Sequence, residues 1–250
     1  NSIFCATHGG EVYEFSIKTK TFRLLYDFKY NDIYSLYQDS KGRLWIPTNT
    51  KAGLVVAEGN LVTEDFKVGG KPRKFMSVSV VQELPENRYL IGTWNNGFYL
   101  YSPDEQKATH FANRELGVSE HEKIYVSAFY VDSGQDIWVA TNGHGLWRFD
   151  SGLKLKKHYA AEDGMTDRQV FYVTQDKQGF YWVMPCHELY HLDKDGEVIN
   201  RFNARNGIEL QEFSIFSGMI TRNGKLYLSG MNGFQSIDPV ELRNNTEKPP

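Results

Sequence analysis

One spacing constrains this chain more than any other: an Asp placed six residues ahead of a Trp, inside a β-type segment, three times over. Asp39-Ser40-Lys41-Gly42-Arg43-Leu44-Trp45-Ile46-Pro47-Thr48 returns as Asp132-Ser133-Gly134-Gln135-Asp136-Ile137-Trp138-Val139-Ala140-Thr141. It returns again as Asp176-Lys177-Gln178-Gly179-Phe180-Tyr181-Trp182-Val183-Met184-Pro185. Weaker copies occupy the gaps: Ile3-Phe4-Cys5-Ala6-Thr7, Tyr89-Leu90-Ile91-Gly92-Thr93 and Lys225-Leu226-Tyr227-Leu228-Ser229-Gly230. With the Thr-equivalent as marker, the copies fall at 7, 48, 93, 141, 185 and 230, a period of 41–48 residues.

Each period reads as four strands. An apolar segment (Ile33–Tyr37, Val170–Val173) leads into a turn carrying Asp and Gly, where Asp bonds nearby amides and Gly takes positive φ. The Trp strand follows, then a turn rich in Asn and Gly, a third strand (Gly97–Tyr101, Gly145–Asp150) and a more polar fourth (Thr21–Leu25, Lys154–Tyr159). No segment sustains a 3.6-residue apolar period, so no long helix is expected. Four antiparallel strands per 40–50 residues, repeated radially, describe a β-propeller. The expected fold is therefore all-β, with about six repeats over residues 1–242 and a polar linker at 243–250 leading to a further domain. The first unit starts at its second strand and the last lacks its fourth, giving 22 expected strands. These could close as a small propeller with a composite blade or form an incomplete arc of a larger ring.

Composition narrows the function classes. Aromatic residues are 14% of the chain, which suits strands, and the net charge of −3 comes without any run of Lys or Arg. A surface that neutralises many phosphates is thereby excluded as an expectation, so no nucleic-acid partner is assigned. Cys5 and Cys186 sit in non-adjacent repeats, match no metal spacing and read as free thiols. No apolar stretch reaches membrane-spanning length, so no membrane contact is assigned to this segment. The chain opens on Asn rather than Met and reads as a piece of a longer protein.

The pattern apolar-x-x-apolar-x-x-Asp-x-x-Gly-x-Leu-Trp-Ile-x-Thr, followed by a Gly-rich turn, resembles the two-component-regulator propeller repeat; Ile33–Leu54 and Val126–Leu146 match it best. Residues Gly224–Pro239 resemble the last repeat of such sensors. The resemblance implies the C-terminal propeller segment of a periplasmic sensor in a hybrid two-component histidine kinase. It also implies oligosaccharide input, dimerisation in the full-length protein, and seven-bladed rings followed by a β-sandwich, a membrane helix and a kinase. Departures are Pro47 and Pro185, the turn Pro185–Leu189, and Leu84 and Leu90 in place of Asp and Trp.

Recurring Trp45, Trp138 and Trp182 are expected to pack between adjacent sheets, and Asp39 and Asp176 to shape turns. The Asp-x-x-Gly spacing differs from a sialidase Asp-box by one residue. Trp94 is off-register, in the turn Trp94-Asn95-Asn96-Gly97. A Trp ring covers sugar C–H groups while an amide such as Asn95 bonds hydroxyls, although single exposed aromatics often need no explanation. His144, His187 and Arg168 lie in related turns whose geometry does not demand them, so they join Trp94 and Asn95 as candidate ligand-binding residues. Asn142 and Asn232 read as turn formers, and Lys154–His158 as a solvated outer strand. No catalytic residue, cofactor or metal is assigned. A ligand sensor is the first reading and a sialidase- or lyase-like glycan-processing enzyme the alternative, separated by whether two carboxylates face one another across a channel. A WD-type scaffold lacks its Gly-His and Trp-Asp pairs.

Overall fold

The computed structural model describes residues 2–29, 32–48, 53–59, 61–64, 66–210 and 213–244. The chain divides into two compact units, Asn1–Val126 and Ser127–Pro250. The fold is a β-propeller of six antiparallel sheets. In the first unit, β1 (Ser2–Ala6), β2 (Glu11–Ser16) and β3 (Thr21–Asp27) form a three-stranded sheet. A four-stranded sheet follows, of β4 (Tyr37–Gln38), β5 (Leu44–Pro47), β6 (Leu54–Glu58) and β7 (Leu61–Thr63). After the hairpin β8 (Phe66–Val68) and β9 (Lys71–Arg73) comes the sheet β10 (Val78–Leu84), β11 (Arg88–Thr93), β12 (Phe98–Ser102) and β13 (Lys107–Phe111). A one-turn helix α1 (Asn113–Leu116) ends the repeat.

β14 (Tyr125–Val131) opens the next sheet, completed in the second unit by β15 (Ile137–Asn142), β16 (Gly145–Phe149) and β17 (Leu155–Tyr159). Then come β18 (Val170–Gln175), β19 (Tyr181–Pro185), β20 (Leu189–Leu192) and β21 (Val198–Phe202). The last sheet has three strands, β22 (Phe213–Ile220), β23 (Leu226–Gly230) and β24 (Gly233–Ile237), before helix α2 (Pro239–Asn244). The short first and last sheets match the sequence expectation. The hairpin β8–β9 does not: its strands are three residues each, and only Phe66 among them is buried. The first strand of the second repeat is also shorter than expected: Ile33 makes only an isolated bridge to Thr48, and the ladder begins at Tyr37. Of the expected linker, Arg243 and Asn244 lie in α2, and residues 245–250 fall outside the described residues. Among the described residues no helix is long and apolar enough to cross a membrane, and Cys5 and Cys186 form no disulfide.

The repeated Asp explains the spacing. Its Oδ1 closes the turn, accepting the amides two and four residues on: Lys41 and Arg43 at 3.1 and 2.9 Å for Asp39, Gly134 and Asp136 at 2.8 and 2.9 Å for Asp132, Gln178 and Phe180 at 2.9 and 3.1 Å for Asp176. Its Oδ2 accepts the indole Nε1–H of the Trp six residues on, at 2.8, 2.9 and 3.0 Å. Six residues is the length that carries the chain through the turn and back along the next strand to bring the ring over the carboxylate.

The following sheet completes this node. The Tyr89 hydroxyl donates to Asp39 Oδ2 at 3.3 Å and its ring stacks on Trp45 at 4.2 Å. Tyr181 donates to Asp132 Oδ2 at 2.7 Å with its ring 4.5 Å from Trp138. An arginine neutralises each carboxylate. Arg43 comes from the turn itself (Nε to Asp39 Oδ2, 2.8 Å). Arg148 comes from the third strand, 3.8 Å from Asp132 and 4.8 Å above the Trp138 ring. At Asp176 the following sheet offers Leu226 instead of Tyr, and Arg243 on α2 reaches in at 3.0 Å while lying 4.4 Å above Phe180. Burial pushes the Asp39 and Asp132 carboxyls up, but the donors around them outweigh it and leave both below the usual carboxylate range.

Sheet-to-sheet packing follows the alternation of each strand. Trp45, Leu54 and Val56 meet Val81, Tyr89 and Ile91 of the next sheet. Trp138, Ala140 and Leu146 meet Val173, Tyr181 and Val183, and Trp182, Met184 and Leu189 meet Leu226, Leu228 and Ile237. The Trp positions thus pack between sheets as expected. Inner strands are also stapled: the Ser35 hydroxyl donates to the Ser79 carbonyl at 2.8 Å and Ser79 to the Val126 carbonyl at 2.6 Å, and Ser127 repeats the bond to the Val170 carbonyl.

The buried polar groups make two predictions. Asp132→Ala strands the buried Trp138 indole and Tyr181 hydroxyl, while Arg148 keeps its 2.8 Å ion pair with Asp136; at roughly 1–3 kcal/mol for each unsatisfied donor, urea melts should lose about 2–6 kcal/mol. Tyr181→Phe removes one bond to a charged acceptor and should lose about 1.5–3 kcal/mol; indistinguishable melts for wild type and both variants would show the node to be inert. The second concerns His191, buried against Trp182 at 4.4 Å, with no partner for Nε2 among the described residues. Burial, reinforced by nearby Arg243, lowers its pKa from 6.5 to about 4. The unfolded chain therefore takes up this proton first, and stability should fall as pH drops from 6.5 toward 4. His191→Phe should flatten that part of the pH–stability curve.

Candidate functional site at the threonine turns

The turn between second and third strands is built by the marker Thr. The Thr48, Thr93 and Thr141 hydroxyls donate to the carbonyls of Gly53, Gly97 and Gly145 at 2.7, 2.8 and 2.8 Å. Glycine is required at Gly97, whose φ is +65°, because a Cβ there would stand 2.1 Å from the Phe111 carbonyl oxygen. The turn is thus pinned between two strands, and the residues displayed at its tip are held rigidly.

Trp94 occupies the position right after the marker. Its indole Nε1–H donates to the Val78 carbonyl at 3.0 Å, its ring stacks on Tyr125 at 4.4 Å, and Tyr34 meets it edge-on at 4.8 Å. His8, in the same position after Thr7, sits 4.8 Å from Tyr34 and 3.7 Å from Asp32. The result is a line of rings, His8–Tyr34–Trp94–Tyr125, drawn from four successive repeats of the first unit. Trp94 is half-buried, while Asn95 and Asn96 are exposed beside it. Asn96 is fixed by its backbone: its amide donates to the Thr93 hydroxyl at 2.9 Å and its carbonyl meets His110 Nε2 at 2.7 Å. Burial pushes the hydroxyl pKa of Tyr34 up, with Asp32 adding to it, and burial does the same for Tyr125; both stay neutral donors at physiological pH.

Sequence reasoning singled out Trp94 and Asn95 but missed His8, Tyr34 and Tyr125 as their companions. His8 could have been found from its place one residue after the marker; the two tyrosines sit in irregular entries to first strands, where register is not readable.

In the second unit, Arg168 contributes its carbonyl, which accepts the Gly143 and Gly145 amides at 2.9 and 2.8 Å, so its backbone brackets His144. The His144 ring lies 6.2 Å from Trp147, and its carbonyl meets His158 Nε2 at 2.8 Å. The side chain of Arg168 and that of His187 are exposed. His144 and Arg168 are therefore brought together and His187 occupies the next turn, while Trp94 and Asn95 belong to the first unit. Among the described residues no group of His, Cys, Asp or Glu has the arrangement of a metal site. The buried carboxylates Asp39, Asp132 and Asp176 have both oxygens engaged by turn amides, indole and arginine. They hold structure and leave no lone pair aimed at a substrate.

Comparison with known proteins fits this geometry. Residues 27–49 match the model of the two-component regulator propeller. No curated protein sequence matches the chain. Among solved structures, it resembles the extracellular domain of a candidate hybrid two-component system from B. thetaiotaomicron, with TM-score 0.82, 21% identity, and coverage of 98% of this chain and 33% of that one. A second such domain from the same organism aligns with TM-score 0.54 at 16% identity, covering 96% of this chain and 40% of the other. Virginiamycin B lyase from Staphylococcus aureus shares the fold at 11% identity and TM-score 0.70, over 95% of this chain and 80% of the lyase. The chain thus spans 33% and 40% of the length of the two sensor domains. With the Asp–Trp repeat built as described, the chain has the β-propeller fold of these structures, and its residues 27–49 match the two-component regulator propeller repeat.

Proposed function

We propose that this chain is an extracytoplasmic ligand-sensing segment of a hybrid two-component sensor, without catalysis of its own. In this reading it works in the periplasm as part of an inner-membrane protein whose cytoplasmic histidine kinase receives the signal. Ligand binding biases a population of two dimer arrangements. The observation that carries the reading is the ring line at Trp94 with Asn95 and Asn96 exposed beside it, set on a repeat of this family. Aromatic faces cover the apolar C–H surface of a sugar and amides bond its hydroxyls, so an oligosaccharide is the ligand class. The saturated state of the buried aspartates supports a sensor over a glycan-processing enzyme, since hydrolysis needs a free carboxylate pair.

Calorimetry against a panel of neutral and acidic oligosaccharides tests this. At least one should bind, Asn95→Ala should weaken it about tenfold, the loss of one or two hydrogen bonds, and Trp94→Ala should abolish it. Thermal melts of both variants separate loss of binding from loss of fold. A panel without binding, or binding that survives both substitutions, would remove the Trp94 turn as the ligand site.

A further inference from the structure

The ends of the sheets opposite the threonine turns carry a second feature, independent of the proposed sensing site. In the second unit the Asp turns of two successive sheets border an open cavity of about 860 Å³, lined among others by Ser133, Lys177, Gln178, Lys194 and Thr221. That volume lies in the range of small-molecule sites.

Charge distinguishes this cavity. Its two carboxylates, Asp132 and Asp176, are buried and turned inward, each saturated and each paired with an arginine. The groups left at the surface are cationic. Lys177 and Lys194 are exposed, and neither is ion-paired among the described residues. Both stems lie flat over turn glycines that offer no side chain: Lys194 runs 3.6–3.7 Å from where a Gly179 Cβ would stand, and Lys177 3.5–3.9 Å from that of Gly224. This lays the ammonium groups along the cavity wall.

The register-equivalent groove in the first unit, about 360 Å³, has Leu84 in the place of Asp176 and serves as a comparison. It is lined by Glu83, Pro85 and Glu86 where the second unit has Gln175, Lys177 and Gln178. Glu83 has a structural task, accepting the Ser40 amide and hydroxyl at 2.8 and 2.7 Å. Gln175 does the same for Ser133, at 3.2 and 2.8 Å, without the negative charge. The lysine of the first groove, Lys41, is occupied by Asn87 at 2.8 Å. The serine bonds are therefore kept while two carboxylates, Glu83 and Glu86, are replaced by amides and Lys177 is added; the one carboxylate gained, Asp176, is buried and paired with Arg243.

We propose that this cavity binds a small polyanion, a ligand presenting two or more carboxylate, sulfate or phosphate groups to Lys177 and Lys194, with the Ser133, Gln178 and Thr221 side chains as hydrogen-bonding neighbours. Titration calorimetry with citrate and with pyrophosphate, and with sucrose as an uncharged control of similar bulk, tests it at about 50 and about 200 mM NaCl, a range over which screening of exposed charges changes strongly. Citrate, pyrophosphate or both should bind, more weakly at the higher salt. The double variant Lys177→Gln/Lys194→Gln should lose at least tenfold in affinity, Lys177→Glu should lose more, and Lys41→Gln should change nothing. Binding of citrate alone assigns a carboxylate ligand and of pyrophosphate alone a phosphate ligand. Absence of binding by both anions, equal binding of sucrose, or unchanged affinity in the double variant would overturn the proposal.

Discussion

The structure depends on a buried carboxylate that belongs to two sheets at once. Asp39 and Asp132 close a turn with one oxygen, and with the other they hold their own indole and the next sheet's tyrosine. A buried charge is tolerable only when its hydrogen-bonding capacity is filled and a counter-charge is near. Here filling it requires the neighbouring sheet, so local turn formation and sheet-to-sheet assembly share one set of bonds. Hydrophobic packing around Trp45 and Trp138 supplies the driving force, and the carboxylate fixes the register in which the sheets meet.

Much of this was legible in the sequence because the repeat states it several times. The Asp-to-Trp spacing located turns, second strands and inter-sheet rings, and the truncated first and last repeats foretold the two three-stranded sheets. The tyrosine that completes each node was not legible, although it stands at the opening of its second strand. Its meaning emerges only when Tyr89 is paired with Asp39 and Tyr181 with Asp132, partners 50 and 49 residues away. Arg243 was hidden for the same reason: a polar tail residue gives no sign that it fills a position left open by Leu226. The hairpin β8–β9 and the short β4 escaped because both lie where strand signals are brief and register is set by tertiary pairing.

The two ends of each sheet are built on different chemistry. Threonine turns are closed by neutral hydroxyl-to-carbonyl bonds and display rings and amides, as around Trp94. Asp turns are closed by charge and display the residues that happen to occupy the positions after the Asp. Those positions vary freely between Ser40–Lys41, Ser133–Gly134 and Lys177–Gln178 because the bonds that close the turn are made by backbone amides. Function can therefore diversify at both ends while the ladders between them stay unchanged.

The shared carboxylate also gives the repeats a grammar. A sheet with an Asp and Trp must be succeeded by one that opens its second strand with a donor. The sheet β18–β21 carries both halves, Tyr181 to serve the sheet before it and Asp176 to be served by the sheet after it, so a tandem copy would satisfy the hydroxyl bond and would lack only a second cation in the place of Arg243. The sheet β4–β7 could not: the Leu44 of a copy would face Asp39 and leave it without the tyrosine donor, although Arg43 of its own turn would still neutralise it. The third repeat, with Leu84 and Leu90, asks for nothing, and the repeat after it begins its Trp strand with Ile137. Growth of such a chain by duplication is thus confined to units whose donors and acceptors agree, and α2 shows the exception, supplying Arg243 to Asp176 where the following sheet offers no tyrosine.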